Sequence, residues 1–269
     1  MTLACLIGNE KIIQLLIDKG CYVTKADGRG QTTMTAACLR GNEKIVQLLI
    51  DKGCDVTQPD GTNYTPLTDA CWGGNEKIVQ LLIYKGCDVT QPDGTKQTPL
   101  TAACWGPNEK IVQLLIDKGC DVTQADGRGQ TAMTVACLRG NEKIVQLLTD
   151  KGCDVTKPDG TSYTPLTAAC RGGNEKIVQL LIDKGCDVHQ TDSMEKTPLT
   201  SACRGGNEKI VQLLIDKGCD FNQADGTKQT PMTVACWEGN EKIVQLLIDK
   251  ACDVNQAVGN GQTPKTAAC

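Results

Sequence analysis

Apolar residues recur along this chain in two alternating patterns. One is a short block of small and apolar residues that follows Thr-Pro or a similar pair, as in Thr65-Pro66-Leu67-Thr68. The other is the run Asn-Glu-Lys-Ile-Val-Gln-Leu-Leu-Ile-Asp-Lys-Gly. In the second, Ile45, Val46, Leu48, Leu49 and Ile50 form a broad apolar face, and Glu43, Lys44, Gln47 and Asp51 fall outside it. That spacing predicts an amphipathic helix that buries one side against neighbours. Asn at its start suits an N-cap, and Gly53, Gly86 or Gly119 at its end suits a left-handed terminator. In the first block Thr can cap and Pro suits the first helical position. Two helices per unit follow.

The segment NEKI begins at Asn9, Asn42, Asn75, Asn108, Asn141, Asn174, Asn207 and Asn240, always 33 residues apart. A fixed period of this length predicts a stacked array. Numbered from the Asp of each turn, full units run 27–59, 60–92, 93–125, 126–158, 159–191, 192–224 and 225–257, with partial units 1–26 and 258–269. A longer echo overlies the short one. GRGQT recurs 99 residues on, and TNYTPLT is matched by TSYTPLT, so blocks of three units read as duplicated.

Four copies of TPLT, the IVQLLI run and GCDV resemble the TPLH, helix-two and GADV motifs of the ankyrin repeat. The resemblance covers essentially the whole chain and implies an all-α fold. It would be a curved stack of about eight repeats, each a helix-turn-helix with a β-turn or hairpin loop. It also implies a scaffold that binds another protein or peptide on its concave helix face and turn tips. Thr68, Thr101 and Thr167 stand where the family has His, and Asn at register thirty-one survives only as Asn222 and Asn255.

Composition narrows the reading. Lys plus Arg number 28 against 32 Asp plus Glu, with no long like-charged run, so neither a nucleic-acid groove nor a polybasic membrane patch is expected. Glu10 and Lys11 interrupt the first apolar stretch, so no export signal or membrane insertion is expected. An intracellular, cytoplasmic setting with free thiols is. The 17 cysteines occupy registers twelve and twenty-eight, both Ala positions in the family, and read as small buried hydrophobes. The two registers lie about 8 Å apart along a helix, beyond the roughly 7 Å Cα separation of a disulfide. Metal-ligand spacing is missing and His189 is the only His, so no metal, cofactor or catalytic set is drawn and no enzyme is expected. Asn63-Tyr64-Thr65 reads as a turn.

Variation picks out the candidate binding residues. Register thirteen reads Leu6, Leu39, Trp72, Trp105, Leu138, Arg171, Arg204 and Trp237 and holds every Trp. Large apolar and Arg side chains are enriched in binding hot spots. Leu39 to Leu138 predict an apolar stripe, and Arg171 and Arg204 an adjoining cationic section. The turn tips add Arg29, Tyr64, Lys96, Arg128, Tyr163 and Lys228 as a second contact surface. Asp69, three residues before Trp72, reads as a tolerated surface substitution. Pro107, in place of the inter-helix Gly, predicts that Gly106 ends its helix one residue early. Ala251, in place of a terminating Gly, predicts local strain. The ends, with Lys265 a possible start of a cap, read as those of a longer array, hence the alternative of a recognition arm in a larger regulatory protein, channel or enzyme. A thiol-rich redox or metal-buffering protein is the remote third reading.

Overall fold

The computed structural model describes residues 1–160 and 163–254. Ser162, Asn255, Lys265, Cys269 and the partial unit 258–269 lie outside the described residues. Every regular element among the described residues is helical. The chain divides into two compact units, Met1–Ala132 and Met133–Cys269. The first contains α1 (Thr2–Ile7), α2 (Glu10–Asp18), α3 (Thr33–Arg40), α4 (Glu43–Asp51), α5 (Pro66–Gly73), α6 (Glu76–Tyr84), α7 (Pro99–Cys104) and α8 (Glu109–Asp117). From α9 (Ala132–Arg139) the pattern resumes with α10 (Glu142–Asp150), α11 (Pro165–Gly172), α12 (Glu175–Asp183), α13 (Pro198–Gly205), α14 (Glu208–Asp216), α15 (Pro231–Trp237) and α16 (Glu241–Asp249). In the first unit α1, α3, α5 and α7 pack in one row and α2, α4, α6 and α8 in another. In the second, α11, α13 and α15 pack in one row and α10, α12, α14 and α16 in another.

The first helices begin where Thr-Pro predicts. Thr65 accepts from the Thr68 N–H at 3.1 Å, and Thr68 Oγ1 accepts from the Thr65 N–H at 3.1 Å, closing a capping box. Thr98/Thr101, Thr164/Thr167, Thr197/Thr200 and Thr230/Thr233 do the same. Thr in place of His thus satisfies one backbone donor, the cap residue's N–H, and the cap Thr satisfies a second. At α3 the hydroxyl also reaches the next unit: Thr35 Oγ1 donates to Asp60 Oδ2 at 2.7 Å. Where the Thr is held in its box, as at Thr68 and Thr167, the following Asp93 and Asp192 each keep a buried Oδ2 with no partner.

Two backbone expectations sort differently. Ala251 does take the left-handed conformation, at φ 62°. At Pro107 the helix shortens by more than expected: α7 stops at Cys104, two registers before the end of α5 at Gly73, and Gly106 stays out of the left-handed region. Gly74, at the register of Pro107, ends α5 at φ 74°, a conformation that the proline ring forbids.

The second helices from α4 to α14 bury Ile45, Val46 and Leu49 or their equivalents, each worth about 1.5–3 kcal/mol in area removed from water, and α16 buries Ile243 and Leu247. Their Asn caps are less uniform than the sequence suggests. Asn9, Asn75, Asn174 and Asn207 accept from the N–H three residues on. Asn42, Asn108 and Asn240 make no side-chain cap and reach further back. Asn42 Nδ2 donates to Cys5 O at 2.8 Å and Asn240 Nδ2 to Cys203 O at 3.0 Å. Of the capping ones, Asn75, Asn174 and Asn207 donate instead to a glycine of the preceding repeat, Asn207 to Gly173 O at 2.9 Å. The neighbouring charges also cross repeats: Lys77 pairs with Glu43 at 3.2 Å and Lys176 with Glu142 at 3.3 Å. NEKI is therefore the seam between units as well as a helix start.

Cysteine completes the packing. At register twelve Cys38, Cys71, Cys104, Cys137, Cys170 and Cys203 are fully buried. At register twenty-eight the thiol finds an acceptor that Ala would leave unmet. Cys87 Sγ donates to Val56 O at 3.2 Å, Cys120 to Val89 O at 3.0 Å and Cys186 to Val155 O at 3.1 Å. Burial, and after it the Asp of the preceding turn, pushes these three thiols up to about 11, so they stay protonated donors.

Candidate protein-binding face

The turn tips are built around the Asp that opens each unit. Asp60 Oδ1 accepts from the Thr62 and Tyr64 N–H groups, and Asp126 Oδ1 from those of Arg128 and Gln130. Asp27 holds Arg29 and Gln31 in the same way. Six described tips turn on a left-handed residue at register four: Gly30, Asn63, Lys96, Gly129, Glu195 and Lys228. Adjacent tips are joined by backbone, Gly94 N–H donating to Asn63 O at 2.6 Å and Gly127 N–H to Lys96 O at 2.7 Å. A Cβ on Gly127 would overlap that of Lys96, so glycine is required for the tips to meet.

In the first unit these tips and the ends of the first helices enclose a cavity of about 500 Å³. Leu39, Trp72 and Trp105, at the ends of α3, α5 and α7, line it together with Arg29, Tyr64 and Arg128 from the tips. Trp72 is 53% exposed, whereas Leu39 and Trp105 are half-buried. Lys96 is exposed and does not line it; its backbone conformation places it over Gly127.

Asp69 also lines the cavity, and this corrects its reading as a surface substitution: it is only 8% exposed. A turn of α5 carries Asp69 and Trp72 on one face. Burial, and then the Asp60 and Asp93 carboxylates, pushes its carboxyl up to about 8, so it is largely protonated at neutral pH.

In the second unit the predicted residues are spread more openly. Trp237, at the end of α15, is 64% exposed, Arg171 is exposed and Leu138 is half-buried. Tyr163 is half-buried, with its N–H on Asp159 Oδ1, and Lys228 is exposed at φ 61°. Arg204 departs from the free cationic section expected of it. Its Nη2 donates to Gln229 Oε1 at 2.8 Å and its Nε lies 3.6 Å from Glu238 Oε1, so its charge is already matched. Glu238 sits one residue beyond register thirteen of the next repeat, which is the signal that 33-residue spacing offered.

The model of ankyrin repeats matches the chain in three copies, over residues 1–93, 91–159 and 166–258. The chain belongs to the ankyrin-repeat family. None of the curated proteins compared with it matches. Ankyrin repeats are in general protein–protein interaction modules. No helix among the described residues of this ankyrin array is long and apolar enough to cross a membrane.

Against the ankyrin frame, reading by variation singled out the Trp register and the Arg and Tyr tips, six of which line one cavity, and misplaced Asp69 on the surface. The signal was present: register ten holds Ala36, Ala102, Val135 and Ala168 in other repeats, and a carboxylate among them sits on the helix of the first Trp.

Proposed function

We propose that this ankyrin array is a binding module, with full repeats at 27–59 and onward to 225–257, that grips a partner protein or peptide through register thirteen and the turn tips. It acts by binding rather than catalysis. The reading is carried by the 500 Å³ cavity in which Leu39, Trp72 and Trp105 meet Arg29, Tyr64 and Arg128. Concave, mostly apolar sites with a few polar groups are where ligands gain affinity, and Trp, Tyr and Arg are the residues that anchor them. Lys96 adds to this surface, and Leu138, Arg171, Arg204, Trp237, Tyr163 and Lys228 give the second unit a surface of its own, with Arg204 contributing as half of an ion pair. A setting inside the cell fits the many free thiols.

The test is affinity capture from native lysate with the chain and with a Trp72→Ala/Trp105→Ala variant of unchanged helicity. Loss of a specific partner in the variant supports the reading; equal recovery by both refutes it.

A further inference from the structure

Within the cavity lining, charge divides by burial. Arg29 and Arg128 are exposed at turn tips, whereas Asp69 is buried. Among the described residues the Asp69 side chain makes no hydrogen bond or ion pair, although its backbone N–H is satisfied by Thr65 O. Asp69 stands where other repeats have Ala, Val or Ser, and its largely buried carboxyl lines the cavity. Nothing in the helix uses it, so its partner is to be sought in whatever fills the cavity.

The surroundings select that partner. Arg29 and Arg128 stand at the tips, but an anion at Asp69 itself would feel the carboxylates of Asp60 and Asp93 behind the lining, and an apolar group would leave the carboxyl unmatched. A cation on an aliphatic stem satisfies both parts of the lining: the stem against Leu39, the charge at the carboxylate and beside aromatic rings. We propose that this cavity receives one basic side chain, lysine or arginine, of an extended partner segment, its cation paired with Asp69 beside the indoles of Trp72 and Trp105. This rests on the binding reading above and names the chemistry of its occupant. The exposed Arg29 and Arg128 repel further basic residues, so the segment carries acidic residues on either side of the basic one.

Pairing requires the ionised carboxylate. The other charged or titratable groups around the site are Asp60, Asp93, Tyr64, Arg29 and Arg128, and the thiol of Cys38 on α3, which burial and the Asp69 charge keep protonated. Because Asp69 holds its proton up to about 8, binding below that pH releases a proton and affinity rises from pH 6 to pH 8.

The experiment is a nuclear magnetic resonance titration of the full chain, following the indole N–H signals of Trp72 and Trp105. The probes are blocked tripeptides Glu-Lys-Glu, Glu-norleucine-Glu and Lys-Glu-Lys. The Lys-centred peptide is expected to shift both indoles and to bind about tenfold tighter than the norleucine one. Lys-Glu-Lys should bind more weakly than Glu-Lys-Glu. Asp69→Asn should bring Glu-Lys-Glu down to the norleucine level without changing the norleucine peptide. Equal binding of the lysine and norleucine peptides, an undiminished lysine preference in Asp69→Asn, or unmoved indoles overturns the proposal. If the preference fails while Trp72→Ala/Trp105→Ala still loses its captured partner, the binding face stands and only its basic occupant falls.

Discussion

Replacing Asp69 with Asn turns a buried ionisable group into a neutral isostere, and its effect on stability is calculable. The folded chain holds the Asp69 proton up to about 8, while an unfolded Asp releases it near 3.9. Between those values the folded state binds more protons than the unfolded one, so this group's contribution falls as pH rises and levels off above about 8. Each pH unit is worth about 1.4 kcal/mol, so at pH 7, about three units above the unfolded value, the loss relative to pH 4 reaches at most about 4 kcal/mol. Asn has no such loss. The assay is urea unfolding of the wild-type chain and Asp69→Asn, each carrying Trp237→Phe so that fluorescence reports Trp72 and Trp105, at unit steps from pH 4 to 9. The stability advantage of the Asn variant should grow through pH 5, 6 and 7 and flatten above 8. A difference that is constant with pH refutes the burial and charge repulsion assigned to this carboxyl.

Ala251→Gly relieves a left-handed alanine at the end of α16 and should raise stability by about 1 kcal/mol in chemical denaturation, a gain expected in native-state hydrogen exchange of α16. Thr33→Pro places at α3 the residue that starts α5 and removes a buried hydroxyl with no partner; thermal unfolding should shift upward by the equivalent of about 1 kcal/mol, and a drop would show that the α3 backbone cannot accept the ring. Exposed Cys21 should react with a thiol reagent in the native chain, while Cys38, Cys71 and Cys170, buried and pushed well above the ordinary thiol range, should react only on unfolding; mass spectrometry of the labelled peptides decides.

What the sequence displayed most clearly was whatever the period repeats. Apolar spacing, Thr-Pro starts and terminal glycines located both helices of each unit because each is a local, self-sufficient signal. The interactions that join units were harder to see for the same reason: Asn42 looks like an N-cap, and only the fold shows its amide on Cys5 O, 37 residues back. Most register-twenty-eight thiols read correctly as small buried hydrophobes, Cys21 being exposed instead, but the carbonyl that Cys87 or Cys186 serves belongs to the preceding repeat. Lys96 at φ 63° was hidden among polar tips, although Gly30 and Gly129 at its register marked a left-handed position. At the candidate site, variation pointed to Trp72 and Trp105, while Asp69 became meaningful only with burial and the Asp60 and Asp93 charges known. Arg204 lost its free charge to a neighbour that one-dimensional reading had not paired with it.

The NEKI seam has a consequence for how such an array changes over generations. Its Asn, Glu and Lys find acceptors or counter-charges that the adjoining unit supplies in nearly the same form each time, so a 33-residue tile can be copied, deleted or moved in blocks without spoiling the joints on either side. The 99-residue echo is what such shuffling leaves behind. What shuffling does alter is which register-thirteen side chains become neighbours. A cavity like the one around Asp69 can then arise from the order of the tiles and a single substitution, with the scaffold left as it was.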